Sequence, residues 1–234
     1  MSNYASERAK ELKILTREIL RGLPAVCSDF MLAIENTTQP LTRYAYANDL
    51  KLFFNYLTSE CPAFGSIEIS AITPTDLGRV TTRDLHLYME YLGLYVKNDV
   101  EITNEALGKM RKLASLRSFY KYMFKNGLIE SDVTQLIDMP KRHEKPILRM
   151  EIDEVARMLD YVESGETMNE RQKKYNAHTR ARDLAILTLF LDTGIRVSEL
   201  VGINIGDIDF SINGFMVTRK GGNQAILYFS DEVE

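Results

Sequence analysis

The chain has 234 residues, of which 45% are hydrophobic and 26% are charged, which is enough for one or two domains that need no stabilising metal or disulfide. The net charge of −4 counts against indiscriminate nucleic-acid binding, no apolar stretch is long enough to cross a bilayer, and the charged first turns exclude a secretory signal. Only two cysteines are present, so a reducing cytoplasm is the simplest expected location.

The N-terminal half of the sequence predicts helices only, because apolar residues recur at helical spacing between breaks that contain glycine or proline. The predicted helices cover residues 1–22, 25–34, 42–57, 81–95 and 103–126. Thr42 is the expected N-cap of the third helix, and Asn126-Gly127 is the expected C-cap of the fifth. We expect the helix within residues 1–22 to be an addition in front of the domain that the others form.

The helix predicted over residues 103–126 has an apolar side and a basic side on a helical wheel. The apolar side carries Leu113, Leu116, Tyr120, Met123 and Phe124. The other side carries Arg111, Ser115, Arg117, Ser118, Lys121 and Lys125. A solvated surface and a surface laid against DNA backbone both explain this pattern, and the lack of any acid there favours DNA. The residues predicted to contact DNA are Arg43, Arg111, Lys112, Arg117, Lys121, Lys125, Lys141 and Arg142.

A linker is predicted between Met139 and Met150, where two prolines occur among few apolar residues. We therefore expect one domain over residues 1–143 and a second over residues 144–234. In the second, an amphipathic helix begins at Ile152, and residues 184–191 form a helix that is apolar enough to be buried nearly all round as the domain core.

Short strands follow these helices, because the hydrophobic period changes from that of a helix to that of a strand. The predicted strands cover residues 207–211, 215–219 and 224–229. Asn213-Gly214 and residues 221–223 are typical turn sequences between them. The pattern predicts a small antiparallel meander, so the fold class is mainly α with a small β part.

Arg196 stands out because it follows a capping glycine, Gly194, at the start of a new helix. A positive charge at that end opposes the helix macrodipole, so an anion is its expected partner. Glu199 lies three residues later on the same helix face. Taken alone, the two residues also fit an ordinary surface ion pair of small energetic value.

The segment TGIRVSEL at residues 193–200, followed by DID at residues 207–209, resembles the first catalytic box of the tyrosine recombinases, also called the phage integrase family. Residues 42–57, 113–120 and 140–142 resemble the helical core-binding domain of that family, so the resemblance extends from about Ala25 to the end. It implies a SAM-like core-binding domain followed by the first part of a mixed α+β catalytic domain of the DNA breaking-rejoining type.

The resemblance also implies an activity and its partners. Such enzymes cut double-stranded DNA one strand at a time by attack of a tyrosine on a phosphodiester, forming a 3′-phosphotyrosyl link without metal or nucleotide cofactor, and then rejoin the strands. A tetramer on DNA is implied for the full-length form, encoded by a bacterium, a phage or a mobile element. Target sequence and the choice among integration, excision and dimer resolution are not implied.

Three residues match positions of the family's active site. Arg196 matches the arginine that clamps the phosphate oxygens, Glu199 the acidic residue that supports it, and Lys220 the hairpin lysine that protonates the leaving 5′-oxygen. The family more often has glycine before this lysine, whereas this chain has Arg219, so which cation reaches the phosphate is open. We prefer Lys220 because Gly221 follows it.

Other parts of the family's active site have no match in the sequence. The second catalytic box and the nucleophilic tyrosine are expected after the meander, and no tyrosine of this chain is assigned to that role. We therefore expect a truncated recombinase that is inactive alone. A short form that binds DNA without catalysis is the alternative, and a helical protein-interaction domain, favoured only by the acidic pI, is a third.

Overall fold

The computed structural model describes residues 3–97, 99–141, 146–219 and 222–230. Its internal contacts divide the chain into two compact units, one of Arg8–Lys145 and one that contains Pro146–Glu234. Most described residues are helical, and small antiparallel sheets complete the structure, so the predicted fold class is confirmed. Within these ranges no helix has the length and apolar character needed to cross a membrane.

Six helices and two strands are described up to residue 125. They are α1 (Asn3–Leu20), α2 (Ala25–Ala33), α3 (Pro40–Glu60), α4 (Pro74–Leu77), α5 (Thr82–Tyr91), β1 (Leu94–Lys97), β2 (Val100–Thr103) and α6 (Ala106–Lys125). The N-cap of helix α3 is Gln39, three residues before the predicted N-cap Thr42. Pro40 suits the first helical position because its missing N–H would have no partner there and its φ is already helical.

The core of the first unit is built from aromatic rings on α2, α3, α5 and α6. Phe30 packs edge-on against Phe119, and Phe53 packs edge-on against Tyr88, with ring centroids 5.4 and 5.2 Å apart. All four rings are essentially fully buried. Tyr120 also lies in this core, and its hydroxyl donates a hydrogen bond to the carbonyl of Leu77 at 3.2 Å, so burial leaves no unpaired polar atom there.

The prediction of an all-helical N-terminal half is wrong between residues 94 and 103. Helix α5 ends at Tyr91, and β1 and β2 form an antiparallel hairpin in which Tyr95 is opposite Ile102. Tyr95 is buried and Ile102 packs on the core, whereas the alternate residues of β1 face outward. Asp99, at the hairpin tip, adopts a φ of 61°, a conformation that aspartate tolerates better than most residues.

The second unit contains three helices and a three-stranded sheet among its described residues. They are α7 (Ile152–Ser164), α8 (Glu170–Thr193), α9 (Val197–Leu200), β3 (Ile208–Asp209), β4 (Gly214–Thr218) and β5 (Gln224–Tyr228). The strands pair antiparallel in the order β3-β4-β5, as the meander prediction requires. Asn213, with a φ of 46°, forms the turn between β3 and β4, as expected for an Asn-Gly pair.

The prediction that residues 184–191 form a fully buried core helix is wrong. They belong to α8, in which no described residue is buried, and Leu191 is 48% exposed. The buried hydrophobic residues of this unit are instead Ile195, just after α8, and Phe215, Val217 and Phe229, on and next to the sheet. The described elements therefore cover only part of the surface of this apolar helix.

Candidate active site and nucleic-acid interface

The corner between α8 and α9 fixes the backbone of Arg196. Helix α8 ends at Gly194, whose φ of 60° is left-handed and whose N–H donates to the carbonyl of Phe190 at 3.0 Å. The hydroxyl of Thr193 donates to the carbonyl of Leu189 and accepts from the amide of Ile195. Because Ile195 is buried in the core of this unit, the next residue, Arg196, is held at the N-cap of α9.

Glu199 contacts Arg196 through both carboxylate oxygens. Its Oε2 accepts the backbone N–H of Arg196 at 3.1 Å, and its Oε1 accepts a side-chain N–H from Nη1 at 2.9 Å. The Glu199 side chain is only 5% exposed, whereas that of Arg196 is 64% exposed. The carboxylate therefore anchors the arginine from the protein side, and most of the guanidinium donors face solvent.

The pKa of Glu199 lies below its ordinary value. Burial acts to raise this pKa, but it is outweighed by the two hydrogen bonds from Arg196 and by the positive charges of Arg196 and Arg219. The carboxylate is therefore ionised at neutral pH and keeps its hold on the guanidinium. Because the charge of Arg219 contributes to this lowering of the pKa, Arg219 is a second cation near Arg196 and Glu199.

Arg219 lies at the turn between β4 and β5. Its amide donates to the carbonyl of Asn223 at 2.7 Å, and the amide of Gly222 donates to the carbonyl of Arg219 at 3.0 Å. Lys220, the predicted leaving-group acid, lies outside the described residues. The structure therefore brings together Arg196, Glu199 and the charge of Arg219. Which of Arg219 and Lys220 reaches the phosphate is still the question that the sequence raised.

Asp192 is a residue of this corner that sequence reasoning missed. Its Oδ2 accepts the backbone N–H of Ser230, just after β5, at 2.6 Å. The contact joins residues 38 positions apart and connects the end of the sheet to the end of α8. A carboxylate at the end of an apolar helix, directly before the Thr-Gly pair, was the available signal.

Arg43, a predicted DNA contact, has a structural role within the first unit. Its side chain is only 8% exposed, and its Nη1 donates to the carbonyls of Glu35 and Thr38, both at 2.7 Å. A longer ion pair of 3.6 Å joins it to the Glu35 carboxylate. These contacts close the connection between α2 and α3, so the main donors of Arg43 are used within the protein.

Arg117 is likewise engaged by backbone acceptors. Its Nε donates to the carbonyl of Thr134 at 3.2 Å, and its Nη2 donates to the carbonyl of Ile137. It thereby fixes the 3-10 turn Val133–Leu136 against α6, and the predicted contact of Arg117 with DNA stays a prediction. Ser115, predicted on the solvent side, is buried, and Phe124, predicted on the apolar side, is 51% exposed.

Three other basic residues of α6, Arg111, Lys121 and Lys125, are exposed on one side of the helix. Arg111, Ala114, Ser118, Lys121 and Lys125 recur at helical spacing and form what we call the outer strip of α6, which contains no acid. Ser118 is partly buried, and the other members are exposed.

Besides Arg43 and Arg117, three further predicted DNA contacts are not members of this strip. Lys112 is partly buried, its ammonium donates to Asn104 Oδ1 at 2.7 Å, and burial lowers its pKa. Lys141 is exposed, and Arg142 lies outside the described residues. Within the described ranges, no three His, Cys, Asp or Glu side chains are placed to hold a metal ion.

Comparison with protein families and curated proteins gives consistent matches. Residues 149–234 match the model of the phage integrase family. Tyrosine recombinase XerC of Caldanaerobacter subterraneus subsp. tengcongensis is 31% identical over 233 residues, which cover 96% of this chain and 59% of that protein. Tyrosine recombinase XerS of Streptococcus pyogenes serotype M1 is 29% identical over 209 residues, which cover 78% and 57%. The chain thus spans less than two thirds of the length of these relatives.

Solved structures show the same fold. A lambda integrase dimer bound to a COC′ core site matches with a TM-score of 0.57 at 14% identity, over 89% of this chain and 63% of that one. The XerH recombinase bound to its difH substrate matches with a TM-score of 0.50 at 16% identity, over 81% and 47%. At these identities the similarity concerns the fold alone.

Proposed function

The chain belongs to the phage integrase family of tyrosine recombinases, and from that premise we propose that it is part of a site-specific DNA recombinase. Residues 1–143 are the DNA-binding core domain in this proposal, and residues 144–234 are the first part of the catalytic domain. The protein takes part in cutting and rejoining double-stranded DNA through a 3′-phosphotyrosyl intermediate. The observation that carries the proposal is Arg196, exposed to solvent and anchored from behind by Glu199.

Arg196 has the chemistry needed to stabilise phosphoryl transfer. As a tyrosine attacks the phosphodiester, negative charge grows on the non-bridging oxygens, and a planar guanidinium can bind two of them at once. Glu199 takes one donor from Nη1 and leaves the others available. Because the guanidinium is already oriented, little reorganisation is needed in the transition state.

A second cation is proposed at the turn between β4 and β5. We assign Lys220 as the general acid that protonates the leaving 5′-oxygen, since a lysine on a flexible stem beside glycine can approach the strand end closely. Arg219, whose charge acts on Glu199, adds positive potential next to Arg196. The proposal leaves room for Arg219 to replace Lys220 as the proton donor.

Binding to duplex DNA is assigned to the basic residues whose charge is available. They are Arg111, Lys121 and Lys125 on the outer strip of α6. Lys141 and Arg142, in the predicted linker, and Arg43, Lys112 and Arg117, which have contacts within the protein, stay in the proposed set. We further propose that these 234 residues alone bind but do not cleave DNA, because none of their tyrosines matches the family's nucleophile. A tetramer on DNA is the proposed assembly of the complete enzyme.

The first test is binding of the 234-residue chain to fluorescent duplex DNA at increasing salt. Neutralising several phosphates releases counterions, so we expect log K to fall linearly with log salt, with a slope of about −0.9 for each phosphate contacted. A chain that does not bind at low salt contradicts the proposal. Binding that is indifferent to salt contradicts it as well and favours a protein-interaction domain.

A further inference from the structure

A buried carboxylate lies behind the outer strip of α6. Asp49, on α3, has a side chain that is only 4% exposed. Its two oxygens accept hydrogen bonds from Arg111, at 2.5 Å from Nη1 and 2.7 Å from Nη2. Its Oδ2 also accepts from the hydroxyl of Ser115 at 2.9 Å. The carboxylate is thus satisfied from α6 on both oxygens.

Arg111 is held by Asp49 but is not enclosed by the protein. Its side chain is 50% exposed, whereas the side chain of Arg43 is only 8% exposed. The bidentate contact uses two of the five N–H donors of a guanidinium. Three N–H donors of the half-exposed guanidinium are therefore not used by Asp49.

Arg111 lies on the same strip as two exposed lysines. Lys121 and Lys125 follow Arg111 on the outer strip of α6, and the distance from Arg111 to Lys125 is about 21 Å at about 1.5 Å per residue. Phosphates of one strand advance by about 3.4 Å along a DNA axis while they wind around it, so a straight strip of this length can contact several phosphates. A guanidinium at one end, fixed in direction, would set the register of the strip on the backbone.

We propose that Asp49 is a positioning residue for DNA binding, which holds the guanidinium of Arg111 ready to receive a backbone phosphate. This inference rests on the proposed function and names how one part of the DNA interface is organised. Arg111 bears the contact, and Asp49 acts only through it. The conformational entropy of the Arg111 side chain is then lost when the protein folds, so DNA binding does not include this cost.

The proposal and simple electrostatics predict opposite effects of Asp49→Asn. This substitution removes a negative charge beside the interface, so the overall electrostatic attraction to DNA increases. Loss of the bidentate partner, however, releases the guanidinium and leaves it free to take other orientations. The sign of the change in affinity therefore separates positioning from charge alone.

The experiment compares four variants by fluorescence anisotropy with a duplex, at several salt concentrations. They are Asp49→Asn, Arg111→Gln, the double variant, and Asp29→Asn as a control with the same charge change at an exposed position of α2. We expect Asp49→Asn and Arg111→Gln each to bind about tenfold more weakly, with a salt slope smaller by about one, and the double variant to bind like Arg111→Gln. Asp29→Asn should bind at least as tightly as the parent.

Two outcomes overturn the inference while the proposed function stands. One is a folded Asp49→Asn variant that binds as tightly as Asp29→Asn, and the other is an Arg111→Gln variant that binds like the parent. Thermal unfolding establishes whether each variant is folded. If Asp49→Asn does not fold, Arg111→Lys decides, because it keeps the charge without the fork, and parental affinity in that variant overturns the inference. A parent chain that fails to bind DNA overturns the proposed function itself.

Discussion

Arg196 and Glu199 differ strongly in exposure although their side chains are in contact at 2.9 Å. The carboxylate is 5% exposed and the guanidinium 64% exposed. A surface ion pair usually leaves both partners in water and contributes little to stability. Here one partner is fixed by the fold and the other is directed outward, which is the arrangement expected of a supported ligand-binding arginine.

Replacing Arg196 by alanine should abolish most DNA cleavage in a cleavage-competent form of the protein. Loss of one donor group for transition-state charge typically lowers the rate by about 10²- to 10³-fold, and Arg196→Lys should restore little, because an ammonium lacks the planar fork. Single-turnover cleavage of a site-containing duplex measures this. Arg157→Ala, which removes an exposed arginine of α7, is the matched control and should cleave normally. Cleavage by Arg196→Ala within a few-fold of the parent would refute the assignment.

The stability contributed by ionised Glu199 should disappear in acid. Its pKa in the folded protein lies below the ordinary value of 4.5, so its contribution is complete above that pH and is lost as pH falls through the folded pKa. We expect the parent to melt at a higher temperature than Glu199→Gln from pH 5 to 7, with a difference that shrinks below about pH 4.5. Thermal unfolding from pH 3 to 7 measures this difference. A difference in melting temperature that does not change with pH would mean that the charge of Glu199 does not contribute to stability.

Asp192→Ala should loosen the end of the sheet. The substitution removes the acceptor of the Ser230 amide, and hydrogen bonds to charged groups contribute about 1.5–3 kcal/mol, less at an exposed site such as this one. Hydrogen exchange of the Ser230 amide should accelerate, whereas Asp192→Asn, which keeps an acceptor oxygen, should preserve most of the protection. Equal protection in parent and Asp192→Ala would show that the contact is unimportant in solution.

Substitution by alanine should lower the affinity for DNA at Lys121 and the thermal stability at Arg117. Lys121→Ala removes an exposed charge, so DNA binding should weaken for every sequence, with a salt slope smaller by about one and an unchanged melting temperature. Arg117→Ala should lower the melting temperature by a few degrees, because the carbonyls of Thr134 and Ile137 lose their donor. Anisotropy and thermal unfolding of both variants test this. A change of preferred DNA sequence in Lys121→Ala would indicate base readout instead.

The 234-residue chain should form no covalent complex with DNA. A nicked recombination-site duplex traps the phosphotyrosyl intermediate of this family, because the cleaved fragment diffuses away and religation stops. We expect the chain to shift this DNA in a native gel and to leave no protein–DNA adduct in a denaturing gel. An adduct that resists denaturation would identify a nucleophile among the tyrosines present and would contradict the proposed inactivity.

The active-site corner could be predicted from the sequence because its signals are local. A glycine after a helix adopts the left-handed conformation, and residues three apart share a helix face, so Gly194, Arg196 and Glu199 were placed correctly relative to one another. The meander could be predicted for a similar reason, since its turns contain residues suited to positive φ.

The hairpin of β1 and β2 was missed because its residues also fit a helix. Tyr88, Tyr91, Leu92 and Tyr95 continue a helical apolar pattern, and only packing decides that the helix stops at Tyr91. Gly93 lies between α5 and β1, where the backbone leaves little space for a side chain. A Cβ at this position would lie 2.8 Å from the carbonyl oxygen of Glu90.

The roles of the basic residues could not be read from a helical wheel. Arg43 and Arg117 bind backbone carbonyls, and the acceptors of Arg117 lie 17 and 20 residues away. A wheel shows which way a side chain leaves its own helix but not which acceptors other segments bring to it. Lys121 and Lys125, for which the described contacts give no such partner, are exposed as predicted.

The hydrogen bond between Asp192 and Ser230 joins the end of α8 to a residue that follows the sheet. Asp192 lies four residues before Arg196, and Ser230 is the first residue after Phe229, whose ring is buried in the core of this unit. Asp192 thus connects the residue that follows Phe229 to the last turn of α8, directly before the corner that positions Arg196. A displacement of Ser230 would therefore act on this corner through a side chain of α8 as well as through the sheet.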